Sequence, residues 1–420
     1  MAKNNKNKRI TGIFPKKGYA VVFLLMALVA VGFMAMMTVV DAIPANMTMT
    51  IIAVLFALLI VGFILLGRRS KAARIVGLVV AFFCIALYGM GTYYLANTYA
   101  TFAKLSESSE SALPAGAMDL ANEPFNIYIT GIDQWESEKG KDLERSDVNM
   151  IVTVNPVTRK ILLTSIPRDA YIKLHTAQQM DKLTHTGVYG VDETINTVQD
   201  WLGVDLNYYV KMNFTAVVDV INAIGGVDVY SPKEFVPTKR DWWTVKKGWN
   251  HMNGKQALAF ARERKAFKGE DSKRVENQQR VVDAILKKLM TSPALLTSYP
   301  DILKAASDNM STNMTSDEMQ QVVKMQLADL GVWDIQNQKI TGDYDMDYVA
   351  SLTQTQKFLV YKTKKESVDE CLAAIDAVMN PTEEEIQQVE EERKKNTLLK
   401  FIKGLTGKSG DEAEEESAEE

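Results

Sequence analysis

Cysteine is almost absent from this chain. There are two in 420 residues, Cys84 and Cys371. Cys84 lies inside an apolar run, so a disulfide between them is not expected, and two thiols cannot build a cysteine-based metal site. Histidine is nearly as scarce: His175, His185 and His251 lack the spacing of a zinc site, and each is expected to be packed or solvated. No Gly-x-Ser-x-Gly elbow, P-loop or kinase motif set is present, which removes those enzyme plans. No internal repeat is visible. Net charge is also small, with 48 Lys and Arg against 52 Asp and Glu, or −4 overall. The last ten residues, DEAEEESAEE, hold seven of the acids, and without them the formal charge would be +3. A mildly basic body of this kind gives no case for nucleic acid as a partner.

Charge is missing altogether from three runs, about Tyr19 to Val40, Met49 to Leu66 and Ile75 to Ala96. Each is about as long as a helix needs to cross a hydrocarbon core of roughly 30 Å. The first is too long for an ordinary signal peptide and lacks a cleavage pattern. The N-terminal MAKNNKNKRITGIFPKKG and the loop GRRSKAAR are basic, whereas the loop DAIPANMT has no Lys or Arg. The distribution of basic residues then predicts a cytoplasmic N-terminus (residues 1–18), three membrane helices (19–97) and everything beyond them outside the membrane. Residues 98–124, polar and rich in small residues, read as a linker.

The outer region mixes strand and helix periods. FNIYITG, VNMIVTVN and KILLTSI alternate or run apolar like strands, and NPVTRK between the last two has turn chemistry. In an antiparallel hairpin, opposed residue numbers sum to a constant. If Asn155 faces Lys160, Asp147 faces Arg168 at the open end. That pairing reads equally as a cross-strand ion pair or as part of a site. Asp133 follows the first strand and joins them only if the first strand runs with the third. TINTVQDWLGV and FTAVVDVINAIGG read as helices, the latter stopped by Gly225 and Gly226, with YYVKMN and VDVYS as strands. This alternation predicts a sheet covered by helices.

FARERKAFKGEDSKRVENQQR gathers seven basic residues in one stretch. NGKQALAFARER reads as a short helix capped by Asn253. If it ends near Ala261, Arg262 and Arg264 can reach one anion from extended chain; the other reading is a basic surface patch balanced by Glu263 and Glu270. A second helix begins at Asp271 or Ser272 as N-cap. Its period places Asp271, Arg274 and Gln278 on the face of Val282, Ile285 and Leu289, which must look inward. Inward polar residues line a cavity or are paired, and a helix start with Arg nearby suits phosphate. Lys273 and Arg280 point elsewhere. Asp133 and Asp147 add hard oxygen ligands that suit Mg²⁺ bridged to phosphate.

GID, RSDVNMIVTVNP, LLTSIPRDAYI, DKLTHTGVYG, YYVKMNFTAVVDVINAIGGVDV, GKQALAFARER and DSKRVENQQRVV, in this order, closely resemble the LytR-CpsA-Psr family. The resemblance is strong over about residues 125–290 and weaker to about 380. Three membrane runs ahead of it resemble the capsule-type branch, although the linker leaves no room for that branch's accessory domain. The resemblance implies an extracellular α/β/α sandwich with a mixed central sheet, over residues 125–380, and an apolar lipid pocket. It implies transfer of a glycopolymer, such as capsule polysaccharide or teichoic acid, from a polyprenyl-pyrophosphate carrier to peptidoglycan, through a phosphodiester to a muramic acid hydroxyl. Asp133 and Asp147 match magnesium-associated aspartates, and either is a candidate general base. Arg145, Arg168, Arg262, Arg264, Arg274 and Gln278 match pyrophosphate contacts, with Arg145 and Arg168 also in the catalytic set. Lys182 matches a basic residue near that site and Asp271 the acid beside the last arginine. Departures are Asn277, where some members have Arg, and Thr184, where many have Asn. Two alternatives use the same donor site: a polyprenyl-pyrophosphate phosphatase, and a non-catalytic protein that binds lipid-linked polymer or regulates capsule assembly.

Trp242, Trp243 and Trp249 sit in a polar loop, where stacking on sugars, contact with the membrane interface and packing under the loop all fit. Residues 381–420 read as a charged helix and an acidic tail, a solvated extension by composition.

Overall fold

The computed structural model of the chain describes residues 17–111, 118–132, 145–238, 243–266, 270–291, 302, 304–305, 307–328, 333–352 and 355–406. In chain order the helices and strands are α1 (Lys17–Val39), α2 (Ala45–Gly67), α3 (Lys71–Glu107), β1 (Phe125–Ile132), β2 (Ser146–Asn155), β3 (Lys160–Ile166), β4 (Tyr171–Lys173), β5 (Met180–Lys182), α4 (Val191–Leu202), β6 (Tyr208–Asn213), α5 (Phe214–Ala223), β7 (Val227–Ser231), β8 (Gly248–Met252), α6 (Gly254–Ala261), α7 (Glu270–Thr291), β9 (Met310–Thr312), α8 (Ser316–Ala328), β10 (Asp334–Lys339), β11 (Gly342–Asp347), β12 (Phe358–Thr363), α9 (Lys365–Met379) and α10 (Glu383–Thr406). They divide between two compact units. One comprises Met1–Gly116, Gly131–Glu144 and Tyr209–Gly331; the other comprises Ala117–Thr130, Arg145–Tyr208 and Val332–Glu420.

In the first unit α1, α2 and α3 are long and apolar enough to cross a membrane. They pack through Met26, Ala30, Leu55, Ala81, Cys84 and Tyr88, while Leu24, Leu28, Val79 and Phe82 stay exposed on their outer faces. Such outward apolar side chains are stable in lipid and costly in water. Helix α3 does not stop where its apolar run ends. It continues through Glu107, into the segment expected to be linker, because Phe102 and Leu105 are buried against Met310 of β9 and Met319 and Val323 of α8. Lys104 also pairs with Asp308.

The rest of this unit surrounds a core of Ile221, Ile224, Val227, Val229, Phe235, Met252, Phe260 and Val281. Asn213 caps α5 by accepting from the Ala216 N–H, and Gly225 and Gly226 end that turn at φ +78° and +85°, as expected of a glycine stop. Asn253 caps α6 in a full capping box with Gln256. Where α5 meets α6 the backbones nearly touch: a Cβ at Gly254 would lie 2.1 Å from the Val218 carbonyl oxygen. Because backbone must move to relieve that overlap, Gly254→Ala should cost the upper part of the roughly 1–3 kcal/mol typical of overpacking. Thermal unfolding should show it as a midpoint lowered by several degrees.

In the second unit the sheet order is β10-β3-β2-β1. The β2–β3 hairpin is antiparallel, with Asn155 opposite Lys160 and Asn149 opposite Ile166, the expected register. Its turn is fixed by Asn155, whose side chain accepts from the Val157 and Thr158 N–H groups. Asn126 reaches Thr153 and Thr130 reaches Ser146, so β1 runs opposite to β2 and with β3. Strand β10 adds parallel to β3, which makes the sheet mixed. Helix α9 covers β2, β3 and β10. Helix α10 departs from the expected solvated extension: Glu385 pairs with Lys160 at 2.6 Å, and Arg393 donates to the Pro156 and Val157 carbonyls at 3.1 and 3.0 Å. These two charges close the hairpin turn, while Glu383, Glu384, Glu391 and Lys394 are exposed as expected. The acidic tail beyond residue 406 lies outside the described residues.

Candidate active site

The hairpin ladder of the second unit ends at Asn149 and Ile166, and the chain beyond it carries the first group of site residues. Asp147 and Arg168 lie where continued register puts them, and Arg168 Nη1 donates to Asp147 Oδ1 at 2.8 Å. Arg168 Nε lies 3.5 Å from Asp169 Oδ2, and Lys182 Nζ lies 3.3 Å from Asp169 Oδ1. Two acids and two bases thus alternate, with side chains only 13–24% exposed. Thr184 approaches Asp147 Oδ1 at 3.5 Å, and its N–H donates to the Arg168 carbonyl at 2.8 Å. Beneath them Tyr128, Thr130, Ser146 and Asn149 form a buried hydrogen-bonded set, and burial pushes the Tyr128 phenol far above its ordinary range. That set keeps the strand ends rigid. Arg145 is exposed, one residue before β2.

Lys182 and Thr184 arrive on a turn held by a buried acid. Asp181, fully buried, accepts from the Lys182 and Ser351 N–H groups and from His185 Nδ1, each at 2.7 Å. Burial alone would raise its carboxyl. The hydrogen bonds from His185, Ser351 and Lys182 outweigh burial and hold it below the usual range. The other two histidines also face acids, His175 with Asp200 and His251 with Asp228, both exposed.

The second group belongs to the first unit. Helix α6 ends at Ala261, but Arg262, its C-cap, keeps helical backbone angles (φ −92°, ψ −4°) rather than the expected extended ones, with the guanidinium 4.1 Å from the Phe214 ring centroid. Arg264 is half-buried. Glu263 between them, which the sequence presents as one more surface charge, is 3% exposed. It accepts from the Thr238 N–H, the Thr238 hydroxyl and the Ala266 N–H at 2.7, 3.0 and 3.0 Å. In α7 Arg274 is buried and Gln278 half-buried. The helix starts at Glu270, so Asp271 and Ser272 fall in its first turn and neither is the N-cap. Ile285 and Leu289 pack against the core as expected, but the centre of the inward face is rotated toward Val281. Asn277, Val281 and Ala284 are buried, while Val282 is only partly so. The physical reason is the adjacent pair Val281 and Val282: the core beside β7 takes Val281, and Asn277 one turn earlier donates to the Phe260 carbonyl. Lys273 and Arg280 are tied to Glu276 on the outer side, as expected.

Asp133 and the Asp271 side chain lie outside the described residues, as does Trp242; Trp243 packs against the core, and Trp249 is 71% exposed beside Tyr230. The sequence reading missed Asp169 and Glu263. Asp169 had a signal, an acid next to Arg168 in a turn; Glu263 had none apart from its place between two arginines. Among the described residues no cluster of three His, Cys, Asp or Glu could hold a metal ion. A magnesium ion that also binds substrate phosphate needs fewer carboxylates. Asp147 fits that role. It is a hard oxygen donor, and among the described residues its hydrogen bonds all fall on Oδ1.

Comparison with known proteins adds the following. The model of the LytR_cpsA_psr family matches residues 92–375. A polyisoprenyl-teichoic acid–peptidoglycan teichoic acid transferase, TagU, from Bacillus licheniformis is 32% identical over 276 residues, covering 64% of this chain and 83% of that protein. The TagU of Bacillus anthracis is 38% identical over 199 residues, covering 47% of this chain and 63% of that protein, less than two thirds of its length. Among solved structures, B. subtilis TagV superposes with a TM-score of 0.51 at 27% identity, over 62% of this chain and 99% of TagV. TagT bound to LIIa-WTA gives 0.52 at 24% identity, over 65% and 98%, a likeness of fold.

Proposed function

Because the chain belongs to the LytR-CpsA-Psr family, we propose that it is a membrane-anchored transferase that moves a glycopolymer from a polyprenyl-pyrophosphate carrier to a muramic acid hydroxyl of peptidoglycan. The observation that carries this reading is the half-buried Asp147–Arg168 pair with Lys182 and Thr184 brought onto it. A donor with two linked phosphates needs cations fixed in place, and Arg presents its donors as a planar fork suited to phosphate oxygens. Arg145 is assigned to the same pyrophosphate, and Arg262, Arg264, Arg274 and Gln278 of the first unit are proposed as pyrophosphate contacts by family resemblance. Asp147, with Asp133, would hold a magnesium ion, which when bound supplies charge neutralisation at the phosphate oxygens. In the transfer the sugar hydroxyl gives its proton to a carboxylate, Asp133 or Asp147, its oxygen bonds to the phosphorus next to the glycan, and the bond from that phosphorus to the bridging oxygen breaks. Lipid monophosphate leaves. Arg168 and Lys182 stabilise the negative charge that gathers on the leaving phosphate, a stabilisation larger in a half-buried site than in water.

The same reading places the N-terminus in the cytoplasm and the site outside. In the first unit Asp41, in the loop between α1 and α2, is bound by Lys324 of α8 at 2.7 Å and its N–H donates to Gln320. That contact supports placing the loop without Lys or Arg on the outer side. Arg68, Arg69, Lys71 and Arg74 lie at the opposite helix ends, which the positive-inside rule assigns to the cytoplasm.

The test uses the full chain in detergent with a short lipid-pyrophosphate-linked glycan, peptidoglycan oligomers and magnesium, read by mass spectrometry. A phosphodiester-linked product plus lipid monophosphate is expected, with both lost on chelation and restored by magnesium. Lipid phosphate without linked product would replace the transferase with a phosphatase. Donor binding without turnover would make the protein a binding or regulatory one.

A further inference from the structure

We infer that Asp181, His185 and Ser351 form a positioning network that aims Lys182 and Thr184 at the donor pyrophosphate, an inference that rests on the function proposed above. Its members come from two separate segments: the turn at 181–186 and the connection between β11 and β12. Asp181 and His185 are buried; Ser351 is at the surface. A buried carboxylate in this position is costly unless its oxygens are satisfied. Here both are, by two backbone N–H groups and the imidazole.

The hydrogen bonds fix the histidine tautomer. Asp181 is held in its ionised form, so the atom facing its Oδ1 at 2.7 Å must be a donor, and His185 carries a proton on Nδ1. The Ser351 hydroxyl, 2.8 Å from the same nitrogen, can share that N–H only as a second acceptor, and its own O–H serves the Asp181 carboxylate. The two residues that flank this arrangement in sequence are the ones that reach the site. Lys182, whose own N–H is bonded to Asp181, directs Nζ toward Asp169. Thr184, one residue before His185, binds the Arg168 carbonyl and approaches Asp147. The strap is tied down just before Ser351, since Ala350 donates to the Met180 carbonyl and Tyr171 donates to the Tyr348 carbonyl. Removal of the imidazole donor would leave Asp181 under-satisfied and free the turn to shift. None of the three touches the reacting atoms, so their role is indirect.

The test measures binding of farnesyl pyrophosphate to the full chain in detergent with magnesium, alongside thermal unfolding and the steady-state constants of transfer. His185→Leu should weaken the probe by about tenfold, the scale of supporting-shell losses, with the KM for the peptidoglycan acceptor unchanged. His185→Asn keeps an N–H donor near the Nδ1 position and should restore most of the affinity, which a purely structural role would not predict. Ser351→Ala removes one exposed hydroxyl and should weaken binding by about threefold; if His185→Leu does not fold, this variant decides. Wild-type protein that fails to bind the probe would overturn the proposed donor site itself. Wild-type binding with His185→Leu, or Ser351→Ala, equally tight would overturn the network and leave the donor site standing.

Discussion

Arg168→Ala should lower the rate of polymer transfer by about 10²–10³-fold, the usual cost of deleting one fixed donor to a developing oxyanion, while the protein stays folded. The separation of the two effects follows from the geometry. The backbone around Arg168 is held without its side chain, because its carbonyl accepts from Thr184 and the Pro167 carbonyl from Ala170. The Arg168–Asp147 pair is 13–24% exposed, between a surface pair and a buried one, so its loss should cost about 1–3 kcal/mol, which leaves the fold standing. What the variant loses is a guanidinium placed between Asp147 and Asp169. Two carboxylates would then face an incoming polyanion with only Lys182 between them and it. Arg168→Lys keeps the charge but not the fork, and should recover a minor part of the rate. Asp147→Asn should lose activity to a similar degree and lose the response to added magnesium as well. Steady-state transfer and circular dichroism on the same preparations check these outcomes. Arg168→Ala protein that is folded and transfers at the wild-type rate would remove the pair from the site.

How much of this was legible in the sequence depends on the range of the interaction. The Asp147–Arg168 contact followed from strand alternation and one turn, since a hairpin register is a local property. The end of α5 and the start of α6 were legible for the same reason, through Gly225 and Asn253. The link from Arg168 through Asp169 to Lys182 was not. Lys182 arrives on β4 and β5, strands of three residues each, too short to show a period. Strand β10 was missed because DIQNQK carries no alternation of apolar residues; its place is set by parallel pairing with β3 across a long sequence gap. In α7 two adjacent valines left two faces equally apolar, and the core beside β7 chose between them.

Glu263 shows why charge runs mislead, and its replacement should produce the largest stability change of any variant considered. In FARERKAFKGED it is one ion among many, and composition assigns it to water. In the folded chain it is buried and accepts three hydrogen bonds, which tie Thr238 and Ala266 to the turn between Arg262 and Arg264. Glu263→Ala removes the charged acceptor of two backbone N–H groups and a hydroxyl and should cost about 2–4 kcal/mol, at roughly 1 kcal/mol or more for each hydrogen bond to a charged group, since Thr238 is exposed and water recovers part of the loss. Glu263→Gln keeps the shape but sets its NH₂ group against one of the two N–H donors, whichever way the amide is turned. It should therefore fall between wild type and alanine. Thr238→Ala removes only the hydroxyl and should cost about 1 kcal/mol. Denaturant unfolding of the four proteins gives the order directly. Transfer activity below the unfolding range should fall in the same order, because the arginines on either side of Glu263 lose their fixed backbone. Equal stability of wild type and Glu263→Ala would mean that the turn is held by other contacts and that the arginines do not depend on this acid for their placement.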